Sequence, residues 1–77
     1  MTGKAVSAGR DLKRSLTIAG HRTSLSLEAE FWAALTAAAQ AEQKSLSTLV
    51  GEIDSARGTR NLSSAVRVWL LQRAEKA

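Results

Sequence analysis

His21-Arg22-Thr23-Ser24-Leu25-Ser26-Leu27 is the stretch on which the reading of the chain turns. Thr23, Leu25 and Leu27 alternate with Arg22, Ser24 and Ser26, the two-residue period of a strand with one covered face. The run leads straight into an amphipathic helix beginning near Glu28. With Leu25 and Leu27 turned inward, Arg22, Ser24 and Ser26 point outward together. An arginine there can hold guanine O6 and N7 in a fork, and serine hydroxyls donate or accept at several base edges. The plainer account of the same alternation is an ordinary solvated strand face.

Upstream, Leu16 and Ile18 alternate with Ser15 and Thr17, but in the opposite phase, and Gly20 lies between the two sets. Residues two apart share a face, so the phase flip requires either a hairpin turn or a bulge in one strand. Both remain open at this level. Residues 1–12 have Gly3, Gly9, small side chains and no periodic apolar face, and read as a flexible basic arm ahead of a single domain over 13–77.

Downstream, the spacing predicts three helices. The first, from Glu28 to about Gln43, aligns Phe31, Leu35, Ala38 and Ala39 on one face with Trp32 beside them. Ser45 is placed to cap the second, whose apolar face is Leu46, Leu49, Val50 and Ile53, and which stops at Gly58. Asn61 or Ser63 caps the third, carrying Leu62, Ala65, Val66, Trp69 and Leu70, with Val68 and Leu71 widening its apolar surface. The expected core or dimer contact is therefore Leu25, Leu27, Phe31, Leu35, Leu49, Val50, Ile53, Val66 and Trp69. No internal repeat is expected.

Charge separates along the chain. Residues 1–27 hold Lys4, Arg10, Lys13, Arg14 and Arg22 against Asp11 alone, whereas the six basic and six acidic residues of 28–77 cancel. The whole excess of +4 thus sits on the arm and strand, which points to a polyanionic partner. Beside the strand, the start of the second helix offers unpaired amides to an anion. Lys44, Ser45, Leu46 and Ser47 are candidate phosphate contacts there, with Lys13 and Arg14 as further ones ahead of the strand.

Seventy-seven residues without cysteine build a marginal core for a monomer, so a homodimer is expected. Two copies of the strand, one from each subunit, would pair into a ribbon that fits the major groove. His21 is the single histidine, and no ligand cluster or acid–base set stands out, so neither metal, cofactor nor catalysis is expected. No apolar run is long enough to span a bilayer, and the expected location is the cytoplasm, without membrane contact.

Three blocks carry a resemblance: GHRTSLSLEAEFW at Gly20 to Trp32, LSTLVGEIDSARG at Leu46 to Gly58, and NLSSAVRVWLL at Asn61 to Leu71. Together they resemble the small bacterial ribbon-helix-helix domain proteins, relatives in fold of the Arc-type and methionine-repressor-type repressors. The resemblance spans about Lys13 to Arg73. It implies a mainly α fold with a short N-terminal β-ribbon, intertwined as a homodimer, acting in sequence-selective binding of double-stranded DNA as a transcriptional repressor. It implies base contact by Arg22, Ser24 and Ser26, inward placement of Thr23, Leu25 and Leu27, and phosphate contact at Ser45, Leu46 and Ser47. The third helix is an addition to the minimal strand-helix-helix unit, and extends the dimer interface or docks another protein. The alternative function is a dimeric interaction scaffold or antitoxin-like adaptor with weak, nonspecific DNA binding.

Overall fold

The structure, a computed structural model, describes residues 11–76. Two strands, β1 (Asp11–Ile18) and β2 (His21–Glu28), precede three helices, α1 (Ala29–Ala41), α2 (Leu46–Ala56) and α3 (Leu62–Lys76). The strands form an antiparallel hairpin with an unbroken register from Asp11↔Glu28 to Ile18↔His21. The phase flip at Gly20 is therefore a hairpin turn and not a bulge. Ala19 (φ 51°) and Gly20 (φ 84°) both lie in the left-handed region, as a two-residue connection requires if it is to match the twist of its strands.

This pairing alters one expectation. The strand that was to find its partner in a second subunit is paired within its own chain, along all eight residues. Its other edge is touched as well, because Ser63 Oγ donates to the Ser26 carbonyl at 2.9 Å. The arm expected over 1–12 lies outside the described residues up to position 10, while Asp11 and Leu12 already belong to β1.

Local chemistry sets the helix ends. Ser45 Oγ accepts from the Thr48 amide at 3.0 Å, the expected cap of α2. Asn61 Oδ1 accepts from the Ser64 amide at 2.8 Å, so Asn61 and not Ser63 caps α3. Gln43 (φ 58°) and Gly58 (φ 61°) turn the chain sharply after α1 and α2.

The inward face of the hairpin closes over the helices. Leu25, Leu27, Leu35, Leu49, Val50 and Val66 are all below 2 % exposed within the single chain. Each such side chain contributes on the order of 1.5–3 kcal/mol by leaving water. The third helix buries part of its apolar surface within the chain: Ala65, Val66 and Leu70 are buried, and α3 packs on α1, α2 and β2. Phe31 and Trp69 are only partly buried against this core. The deep aromatic is Trp32, whose Nε1 donates to the Leu12 carbonyl at 2.8 Å and ties α1 to β1. α2 meets the turn end of the hairpin so closely that a Cβ on Gly51 would stand 3.3 Å from Ile18 Cγ2.

Candidate nucleic-acid interface

Alternation along the hairpin sorts its side chains. Leu16, Ile18, Leu25 and Leu27 face the helices, and so the residues between them face away. Directly opposed residues share a face, so the outer surface consists of four rows: Thr17 with Arg22, Ser15 with Ser24, Lys13 with Ser26, and Asp11 with Glu28. Arg22, Ser24 and Ser26 thus stand on one face, as the strand pattern predicted. Lys13, Ser15 and Thr17 join them from β1; of these the sequence reading singled out only Lys13, as a phosphate contact. Ser26 is half-covered and the others are exposed.

Arg14 goes elsewhere. It lies on the inner side of β1, with its guanidinium 4.8 Å from the centre of the Trp32 ring. That places it on the opposite face of the strand from Lys13, the other candidate phosphate contact in β1.

Electrostatics divide the molecule in two. Around the helices, Glu28 at the end of β2 pairs with Arg67 of α3 at 3.0 Å, Glu42 with Arg73 at 2.5 Å, and Asp54 with Arg57 at 2.6 Å. Glu28 has its carboxyl held below the usual value by its own backbone amide and then by Arg67. On the outer ribbon face, Lys13 and Arg22 make no ion pair among the described residues. Their charge is directed to solvent, or to whatever docks there. The one acidic row, Asp11 with Glu28, lies at the end remote from the turn.

The start of α2 flanks the ribbon. Thr17 and Ala19 at the turn end of the hairpin face Ser47, Thr48, Gly51, Glu52 and Ser55 across a shallow cleft of about 360 Å³. Ser47 is thereby brought near the outer ribbon, and Leu46 is half-buried at the same helix start. Ser45 spends its side chain on the helix, accepting from the Thr48 amide and donating to Thr48 Oγ1 at 2.8 Å. Lys44, a candidate phosphate contact, is engaged by two carboxylates of its own chain. Its Nζ donates to Glu52 Oε1 at 2.6 Å and lies 3.2 Å from Glu42 Oε1, and the two carboxylates hold its ammonium above the usual value.

A second surface lies between two of the helices. Phe31, Ala34, Val68, Leu70, Leu71 and Ala74 line an apolar groove of about 410 Å³ between α1 and α3, with Glu30 and Arg67 at its rim. Leu71 is 58 % exposed there. Among the described residues, no group of three His, Cys, Asp or Glu side chains is placed to hold a metal ion. No helix there is long and apolar enough to cross a membrane.

Comparison with known families matches residues 12–74 to the ribbon-helix-helix domain, from the first strand to near the end of α3. Neither the curated proteins nor the solved structures yield a match.

Proposed function

Since this chain belongs to the ribbon-helix-helix domain family, whose members are non-catalytic DNA-binding modules, we propose that it is a sequence-selective binder of double-stranded DNA that acts as a transcriptional repressor in the cytoplasm. The observation that carries this reading is the outer face of the hairpin: hydroxyls in three rows, with the cations Lys13 and Arg22 that no carboxylate among the described residues pairs. A two-stranded ribbon fits a major groove about 12 Å wide. Arg22, Ser24 and Ser26 meet base edges, Lys13 adds a cation on the same face, and the backbone amides at Ser45, Leu46 and Ser47 take a phosphate oxygen.

In this reading the protein works as a homodimer. The chain closes its own ribbon and core, so the role of the dimer is to set two ribbons on neighbouring stretches of one duplex. The α1–α3 groove, with Leu71 projecting from it, is the apolar surface through which the two copies meet. The same groove supports the second reading, a scaffold or antitoxin-like adaptor that receives a different protein there and holds DNA only weakly.

Selection from genomic fragments at about 0.15 M salt with excess competitor DNA separates the two. Recovery of a shared site supports the reader. Retention without a common motif, together with a protein that co-purifies with the wild type and is lost with Leu71→Glu, supports the adaptor.

A further inference from the structure

The two strands of the hairpin repeat one another. Lys13-Arg14-Ser15-Leu16-Thr17-Ile18 and Arg22-Thr23-Ser24-Leu25-Ser26-Leu27 agree in character at five of six positions: cation, serine, leucine, hydroxyl and aliphatic, with Arg14 against Thr23 the exception. The offset is nine residues. The register turns this short repeat into symmetry. Ser15 is opposite Ser24, so a two-fold axis between them carries Lys13 onto Arg22, Thr17 onto Ser26, Leu16 onto Leu25 and Ile18 onto Leu27. The reading of the sequence as free of repeats missed this, because six residues on either side of a turn are shorter than the periods of repeat folds.

Resting on the DNA reading above, we infer that β1 is a second reading strand, and that one chain presents a complete, pseudo-two-fold ribbon in which Lys13, Ser15 and Thr17 contact base edges as Arg22, Ser24 and Ser26 do. Two cations stand at diagonal corners of the outer face, each followed along its own strand by two hydroxyls. Both corners are exposed, and neither cation is paired among the described residues. Lysine, like arginine, donates to guanine O6 and N7, so both corners suit a guanine. The rise of an antiparallel strand, about 3.4 Å per residue, places the corners roughly 14 Å apart along the ribbon. That distance covers about four base-pair steps of about 3.4 Å. The ribbon of a single chain is therefore matched to a short element with a guanine near each end, one on each DNA strand. The Asp11–Glu28 row bounds the element on the side away from the turn, since the Asp11 carboxylate there repels phosphate, while that of Glu28 is paired with Arg67.

The test is selection of preferred duplexes from a random pool by the full chain, repeated with Lys13→Ala, Arg22→Ala and Lys13→Arg, each first confirmed folded by circular dichroism. The expected result is that Arg22→Ala relaxes base preference at one end of the element and Lys13→Ala at the other, each by roughly tenfold, while Lys13→Arg keeps both. If Lys13→Ala weakens all sequences alike and leaves every base preference intact, Lys13 is a phosphate contact and the inference falls, with the DNA reading standing. If the unmodified chain selects no sequence, the DNA reading itself falls and the inference with it.

Discussion

Trp32 and Leu12 are twenty residues apart, and the indole nitrogen of the one donates to the backbone carbonyl of the other at 2.8 Å. This bond fastens the first strand, which has little buried surface of its own, to the first helix. Arg14 stacks on the same ring from the inner side of β1. The outer face depends on this anchor, because β1 keeps its register beside β2 only while it stays docked.

Trp32→Phe keeps the ring in the core and removes the donor. The expected cost is about 1–2 kcal/mol, from one lost hydrogen bond and a weaker cation–π contact. Chemical denaturation of Trp32→Phe, Arg14→Ala and the double variant measures it. The arginine substitution should cost less when phenylalanine is already at position 32, which is the signature of coupling through the ring.

Ala19 occupies a left-handed conformation (φ 51°) that suits glycine or asparagine. Ala19→Gly should therefore stabilise the protein by about 0.5–1 kcal/mol, read as a higher denaturation midpoint with unchanged slope. Gly20→Ala (φ 84°) should do the reverse even though nothing stands within 4 Å to clash with the new methyl, because the penalty is in the backbone.

Glu28 makes stability depend on acid. Its carboxyl is held below the ordinary 4.5, chiefly by its own amide and then by Arg67, so the folded state favours the ionised form. That stabilisation is fully present above about pH 4.5 and is lost as pH falls through the lowered folded-state value. Thermal unfolding across pH 3–6 should accordingly show a shallower acid limb for Glu28→Gln than for the wild type, with the two curves converging at the acid end.

Leu71→Glu should leave the fold intact, since the side chain is more than half exposed, and should lower the self-association of the protein at least tenfold in sedimentation equilibrium. An unchanged association constant would move the dimer contact away from the α1–α3 groove.

Much of this was legible in the chain. The caps at Ser45 and Asn61, the buried stripe of α2 and the inward set Leu25 and Leu27 follow from local rules, and these act within a few residues. The turn at Gly20 was visible as a phase flip, but a bulge fits a flip equally well, and alanine at position 19 carries no turn signal. Long-range partners were not legible. Lys44 pairs with Glu52, eight residues ahead and beyond the three- and four-residue spacings that helix rules make legible. Trp32 took the deep position expected of Phe31 because its indole nitrogen has a backbone acceptor in β1. The contribution of β1 to the outer face was hidden for the same reason: it requires knowing which strand pairs with which, and a second subunit was the other candidate.

The central claim is that DNA lies on the outer face of the hairpin, and heteronuclear NMR titration of the full chain with a selected duplex tests it most directly. The account predicts that the largest shifts fall at Ser15, Thr17, Arg22 and Ser24 and at the Leu46 and Ser47 amides, with the resonances of Val68 and Leu71 unmoved. Shifts concentrated on the α1–α3 groove, with the ribbon residues unaffected at saturation, would contradict it.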